Sequence, residues 1–158
     1  MPDTLERSRD LRVKPLKRIA RSLGQFFATP PSAAPKGPQQ VVNRTRGTVL
    51  VKRLEIAGTG GSRSKGLLGR DELPPGEGLW ITPCESVHTF FMRFAIDLVY
   101  LDRKLCVKKV RSNVGPWRMS ACLTARSVLE LPVGVVSASH TERGDTVEFA
   151  PAVSDTSD

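Results

Sequence analysis

The chain contains few of the residues that build the commonest functional sites: in 158 residues there are three cysteines, two histidines and one tyrosine. The cysteines are odd in number and form no Cys-x-x-Cys pair, which argues against a disulfide framework and a structural zinc ribbon; they are Cys84, Cys106 and Cys122. This use of cysteine suits a reducing compartment, although one disulfide beside one free thiol stays compatible with the count.

Long apolar runs and the common catalytic motifs are also missing. No segment approaches the roughly 18 apolar residues that a membrane-spanning helix needs, and the N-terminus lacks the apolar core of a signal peptide. No phosphate-binding loop, dinucleotide fingerprint, His-Glu-x-x-His or nucleophile-elbow motif is present. We therefore expect a cytoplasmic protein, with a peripheral membrane location as the alternative, and the motifs name no enzyme class.

Charge is distributed unevenly along the chain. Residues 1–47 carry ten basic and three acidic side chains, whereas residues 48–158 carry fourteen and thirteen. A nucleic-acid-binding domain would carry its basic residues on the folded body with aromatic residues among them, so nucleic acid is not an expected partner. The step in charge predicts a basic N-terminal arm over residues 1–47 and a near-neutral domain over residues 48–150.

A short basic amphipathic helix is predicted in the arm, over about residues 15–27. Pro15 suits a first helical turn, and apolar residues follow at helical spacing. Weak contact with an anionic membrane is expected of the basic residues around them, which are Lys14, Lys17, Arg18 and Arg21. The alternatives are docking on the domain or on a partner, or a disordered basic tail. Four prolines between residues 29 and 40 indicate a linker.

Short β-rich segments separated by turn signals fill residues 48–150. The predicted strands are Thr48–Ile56, Leu79–Thr82, Val87–Phe94, Ile96–Leu101, Leu105–Arg111, Ser127–Leu131 and Thr146–Phe149. A short helix is predicted over Ser62–Gly69 and a hairpin turn over Asp102–Lys104. This spacing predicts a mainly β (α+β) domain, a small β-barrel-like or sandwich fold with one or two short helices. A disordered tail is predicted over residues 151–158.

Several ordered motifs in this domain match a known family. They are Lys65-Gly66-Leu67-Leu68-Gly69-Arg70, Leu73-Pro74-Pro75-Gly76-Glu77-Gly78, Ser86-Val87-His88-Thr89-Phe90-Phe91-Met92, Ile96-Asp97-Leu98-Val99-Tyr100-Leu101-Asp102, Val128-Leu129-Glu130-Leu131-Pro132-Val133-Gly134 and Gly144-Asp145. In these motifs the chain resembles the domain of unknown function 192 family, with one departure at Leu68, where methionine is commoner. The resemblance implies a compact, mainly β domain without an established activity. The family's recurring His-Thr-x-x-Met and Ile-Asp pieces fall on His88, Thr89, Met92, Ile96 and Asp97.

The candidate functional surface lies in residues 78–102, the most apolar and aromatic stretch of the chain. This stretch encloses Cys84, His88 and Asp97, and burying such groups costs about 1–3 kcal/mol each unless they find partners. The sequence therefore predicts a non-catalytic binding or accessory module, monomeric and without a cofactor, for an unknown protein or small-ligand partner. The candidate ligand-binding residues are His88, Thr89, Met92, Asp97, Trp117 and Glu130.

The sequence is compatible with two arrangements of this surface. In one, His88, Thr89 and Asp97 form a satisfied polar network that fixes strand register. In the other, the same cluster is the floor of a shallow groove, with Trp80 or Trp117 as its apolar wall. Alternation with its two leucine neighbours predicts that Glu130 points to solvent or to a groove rather than into the core.

A thiol-dependent hydrolase is the alternative function. Cys84 would be the nucleophile and His88 its base, with Asp97 or Glu130 orienting the imidazole. The same cysteine and histidine are soft or borderline metal ligands, but four residues apart on a strand they would lie about 13 Å from each other. No metal site is therefore predicted.

Overall fold

A computed structural model describes residues 39–152, so the predicted arm helix over about residues 15–27 and residues 153–158 of the predicted tail lie outside the described residues. Ten strands and two short helices make up the described part. They are β1 (Gln39–Asn43), β2 (Thr48–Val51), β3 (Arg53–Ala57), α1 (Gly60–Lys65), β4 (Glu77–Ile81), β5 (Ser86–His88), β6 (Ile96–Leu101), β7 (Val107–Val114), β8 (Met119–Ala121), β9 (Ser127–Pro132), α2 (Val135–Ala138) and β10 (Val147–Pro151). Neither helix is long and apolar enough to cross a membrane.

A five-stranded sheet forms the centre of the domain, in the order β3-β4-β9-β6-β7. The β3–β4 pair is parallel and the other pairs are antiparallel. A three-stranded sheet (β10-β1-β2) and the two-stranded pair of β5 and β8 complete the fold. The sheets do not close into a barrel, and the predicted class, a small mainly β (α+β) domain with short helices, is confirmed.

The central sheet is covered on both faces, because successive side chains of a strand point to opposite sides and both sides find apolar partners. On one face, Leu98, Tyr100 and Val128 belong to a buried cluster that includes Leu67, Ile81 and Met92. On the other face the buried cluster joins the central sheet to the three-stranded sheet, and its members include Val41, Val51, Val99, Leu101, Leu129 and Leu131. Strands β6 and β9 are consequently buried almost throughout.

The first strand lies inside the segment that the sequence assigned to the arm. Strand β1 pairs with β10 on one side and with β2 on the other. Asn43, fully buried, donates from Nδ2 to Thr141 Oγ1 at 3.0 Å and to Asp145 Oδ2 at 2.9 Å. Strand β10 and the two partners of Asn43 lie about a hundred residues away in sequence. The strand's own short, half-polar pattern therefore gave no signal of them.

Other element boundaries differ from the prediction for local reasons. The predicted strand over residues 48–56 is two strands, because the chain leaves the three-stranded sheet at Lys52 and joins the central sheet. The predicted strand over residues 87–94 ends at His88, where a turn begins that holds Phe91 at a φ of 63°. Strand β8 and helix α2 were not predicted, whereas β6 has the predicted bounds.

Gly78 is expected to tolerate no larger residue. A Cβ at this position would lie 2.5 Å from Val51 Cγ2 and 3.3 Å from the carbonyl oxygen of Glu130. Because overpacking a close-packed interior costs about 1–3 kcal/mol, Gly78→Ala should lower the free energy of unfolding by that amount in urea denaturation. Gly58→Ala is the matched control, since a Cβ there meets nothing within 4 Å. Equal destabilisation by the two substitutions would contradict this packing argument.

Candidate functional site

A groove of about 360 Å³ opens over the face of the central sheet that carries Glu130. Its buried lining is apolar apart from Glu130 itself, with Leu67, Ile81 and Met92 each less than a tenth exposed. The exposed part of its lining is polar apart from Pro83, and its polar members are Ser64, Lys65, Glu85, Ser86 and His88. A concave, partly apolar space of this size is typical of sites for small ligands.

Helix α1 and the loop after it supply one side of the groove. Thr59 caps the helix with a reciprocal pair of hydrogen bonds, in which its side chain accepts from the backbone of Ser62. Gly66 ends the helix at a φ of 49° and turns the chain so that Leu67 enters the core. The last turn of the helix therefore presents Arg63 and Lys65 to the groove.

Glu130 lies in the middle of the central sheet, where its register partners are Leu79 on β4 and Leu98 on β6. It is 4% exposed, and its Oε2 has no hydrogen-bond partner among residues 39–152. Of the described residues with such an orphaned side-chain atom, it is the one that lines the groove. An acceptor of this kind is available to a ligand.

Burial raises the pKa of Glu130 to about 7, and the positive charge of Arg70 opposes this rise. Arg70 does not neutralise the carboxylate, because its guanidinium donates to Glu55 Oε2 at 2.7 Å. The predicted alternation is correct in that Glu130 lies on the sheet face opposite Leu129 and Leu131. The solvated position that it also allowed is wrong, since that face is covered by α1, its loop and the β5–β8 pair.

Asp97 has a structural position. Its side chain is fully buried and accepts three backbone N–H groups, from Asn113 at 2.8 Å and from Gly134 and Val136 at 3.0 Å. These bonds join β6 to the end of β7 and to the start of α2. The residue does not line the groove, so the interpretation of Asp97 as a ligand contact there finds no geometric support.

Thr89 also acts within the fold, at the point where two loops meet. It is 1% exposed, and its Oγ1 donates to the carbonyl of Gly115 at 2.7 Å and accepts from the N–H of Arg118 at 3.0 Å. Its own carbonyl accepts from the N–H of Trp117 at 3.0 Å. Thr89 thus fastens the loop after β5 to the loop between β7 and β8.

The structure divides the six predicted ligand residues into three groups. His88, Met92 and Glu130 line the groove, while Thr89 and Asp97 hold the backbone. Trp117 stands outside the groove and is 57% exposed. Neither tryptophan forms the groove's wall, because Trp80 packs against Phe149 on the other side of the sheet, with ring centroids 4.5 Å apart.

Sequence reasoning missed the contribution of Arg63, Lys65 and Leu67 to the groove. Part of the signal was present, since two of them lie in or beside the Gly-Leu-Leu-Gly motif that follows α1. A helix end packed over a sheet is a long-range arrangement, so local pattern alone did not place it.

The thiol-dependent alternative lacks an activated nucleophile in this geometry. Cys84 Sγ donates to the carbonyl of Ser86 at 3.0 Å, while the ring of His88 stacks on Phe90 with centroids 5.1 Å apart. Burial raises the pKa of the Cys84 thiol, which disfavours the reactive thiolate. Within the described range 39–152, no three His, Cys, Asp or Glu side chains are grouped to hold a metal ion.

Comparison with known proteins shows which family the chain matches. Residues 41–149 match the model of the DUF192 family, described as "Uncharacterized ACR". The chain belongs to this family. The family predicted from the sequence motifs is thereby confirmed.

This DUF192 chain is similar to UPF0127 proteins and to solved structures. A UPF0127 protein of Thermococcus sibiricus is 32% identical over 118 residues, which is 69% of this chain and 73% of that protein. A UPF0127 protein of Pyrococcus abyssi is 32% identical over 116 residues, which is 69% of this chain and 96% of that protein. The crystal structure of a protein of unknown function from Novosphingobium aromaticivorans has 25% identity and a TM-score of 0.62, covering 74% of this chain and 94% of that one.

The residues of the family's recurring His-Thr-x-x-Met motif have two different roles in this DUF192 structure. His88 and Met92 line the groove, and Thr89 between them fastens two loops. The Ile-Asp piece is structural at both positions, with Ile96 in the core and Asp97 bonded to the backbone.

Proposed function

We propose that this DUF192 domain is a binding module that takes a small ligand in the groove and uses Glu130 as its polar anchor. The observation that carries the proposal is the buried Oε2 without a hydrogen-bond partner. An unpaired polar group in the interior costs about 1–3 kcal/mol, and a charged one costs more. A buried carboxyl group without a hydrogen-bond partner in the folded domain is typical of a functional site.

The lining favours a ligand that carries opposite polarities at two ends. A hydroxyl or amine group would donate to Glu130 at the buried end. The guanidinium of Arg63 and the ammonium of Lys65 are available to an acidic group at the outer end. Leu67, Ile81 and Met92 would pack against an apolar body between the two ends. Short peptides with apolar side chains are the class of small molecule that combines these features, whereas a free α-amino acid carries both charged groups at one end.

The proposal is tested by isothermal titration of the full chain with the free amino acids and with a set of alanine-containing dipeptides. Wild type is expected to bind at least one member of this panel, and Glu130→Gln should weaken that binding roughly tenfold or more, as expected for loss of a charge-assisted hydrogen bond. Glu85→Gln is the matched control, because Glu85 lines the same groove but is exposed. It should change the affinity less than about twofold.

Proton release gives a second measurement on the same samples. Because the pKa of Glu130 is about 7, roughly half of the side chains carry a proton near neutral pH. An amine that binds the ionised carboxylate would displace this proton, so the binding enthalpy should depend on the ionisation enthalpy of the buffer. The absence of binding by every panel member, or equal binding by wild type and Glu130→Gln, would refute the proposal.

A further inference from the structure

Beside the groove lies a second feature, an aromatic surface formed by Phe90, Phe91, Trp117 and Met119. The ring centroids of Phe91 and Trp117 are 4.7 Å apart, and those of Phe90 and Trp117 are 5.8 Å apart. Met119 is the register partner of His88, whose ring stacks on Phe90. Phe91, Trp117 and Met119 are 72%, 57% and 70% exposed, and they are three of the six large apolar side chains exposed in residues 39–152.

Two residues of this surface have strained backbone conformations. Phe91 and Trp117 have φ values of 63° and 61°, in the left-handed region that bulky residues rarely adopt. The buried Thr89 joins their two loops through its hydroxyl and its carbonyl. Strain that is maintained by surrounding structure clusters at functional sites, and contiguous exposed apolar side chains mark interaction surfaces.

The charged side chains around the aromatic surface indicate which kind of partner can bind there. Arg93 and Arg118 follow Phe91 and Trp117 closely in sequence, and both are exposed. Arg93 pairs with the equally exposed Asp71, whereas the Arg118 guanidinium donates to the neutral carbonyl of Trp117. The chain's own arm is also strongly basic, with ten basic and three acidic side chains in residues 1–47. The charge of Arg118, which pairs with no acidic side chain in residues 39–152, repels a basic arm and attracts an anionic partner.

We propose that the aromatic surface docks this domain on an anionic lipid bilayer. Tryptophan and other amphipathic aromatic rings prefer the level of the lipid headgroups, and arginines beside them attract anionic headgroups. Phe91 and Trp117 would enter the interface from their two loops, while Arg118 would contact a phosphate group. The contact is separate from the groove, so it does not need Glu130.

Vesicle sedimentation of the full chain tests the proposal, with vesicles of phosphatidylglycerol mixed into phosphatidylcholine and vesicles of phosphatidylcholine alone. Wild type is expected to sediment with the anionic vesicles. The double variant Phe91→Ser, Trp117→Ser should lose roughly tenfold or more of this partitioning, because it removes two interfacial rings. The control is Val49→Ser with Val133→Ser, which removes two exposed apolar side chains elsewhere on the domain and should leave partitioning within about twofold.

Two further samples separate the aromatic surface from the arm and from the groove. The variant Lys14→Gln, Lys17→Gln, Arg18→Gln, Arg21→Gln tests the arm, and Glu130→Gln should bind vesicles like wild type. Brominated lipid should quench the tryptophan fluorescence of wild type much more than that of Trp117→Phe, since Trp80 packs against Phe149. Retained binding by the double variant, loss only in the arm variant, equal binding to neutral vesicles, or no binding at all would each overturn the proposal. The last result would leave a protein partner for this surface.

Discussion

Raising the pH from about 5 to about 8 is expected to lower the free energy of unfolding of wild type by about 2–3 kcal/mol more than that of Glu130→Gln. The folded-state pKa of Glu130, about 7, lies above the ordinary value of 4.5 because the side chain is buried. The folded domain therefore binds this proton more tightly than the unfolded chain does. The stabilisation is complete below pH 4.5 and is lost as the pH rises through 7.

Urea denaturation at a series of pH values measures this difference directly. Glu85→Gln is the control, since its side chain is exposed and its substitution should leave the shape of the pH profile unchanged. Parallel profiles for wild type and Glu130→Gln would show that the carboxyl group is solvated or paired in the folded state. The comparison also bears on function, because a substitution that stabilises the domain at alkaline pH should remove the proposed anchor for the ligand.

Asp97→Ala is expected to destabilise the domain by about 3–5 kcal/mol, because it leaves three backbone N–H groups, that of the buried Val136 among them, without their acceptor. The three donors belong to Asn113, Gly134 and Val136, so β6 would lose its attachment to two neighbouring segments. A loss of this size approaches the whole stability of many small domains, which is about 5–15 kcal/mol. Urea denaturation followed by near-ultraviolet circular dichroism would measure it.

Two companion variants make the Asp97 result specific. Asp71→Ala removes a carboxylate of which 80% is exposed, and it should change stability by less than about 0.5 kcal/mol. Asp97→Asn keeps one carbonyl acceptor but turns an amide NH₂ group toward the remaining donors, so its effect should be intermediate. An Asp97→Ala variant within about 1 kcal/mol of wild type would be inconsistent with the observed hydrogen bonds.

Some of the fold could be predicted because the relevant interactions are local. Strand β6 was predicted with correct bounds, since its β-branched and apolar run is long and ends at Asp102. That aspartate closes the predicted turn itself, with Oδ1 accepting from the backbone N–H of Lys104 at 2.8 Å and of Cys106 at 3.0 Å. Strand β1 was missed because its stability depends on β10, which lies at the other end of the domain.

The candidate site was predicted only in part, because the sequence does not show which polar side chains find hydrogen-bond partners within the fold. The sequence predicted a polar network that includes Thr89 and Asp97, and it predicted Glu130 in solvent or in a groove. Backbone groups of distant loops satisfy Thr89 and Asp97, whereas Glu130 Oε2 has no partner in the described range. Sequence pattern does not distinguish these outcomes, because the partners come from segments that are far away along the chain.

The sequence by itself determined the mainly β class, the family and the alternation that sets Glu130 opposite its leucine neighbours, because these depend on local periodicity and ordered motifs. Only the tertiary structure decided that both faces of the central sheet are covered, that α1 and Glu130 line one groove, and that Phe91 and Trp117 meet on one surface. The physical reason is that burial and pairing are set by contacts between segments distant in the chain. The sequence shows which polar side chains would need hydrogen-bond partners if buried, and the packing of distant segments decides which of these side chains find partners.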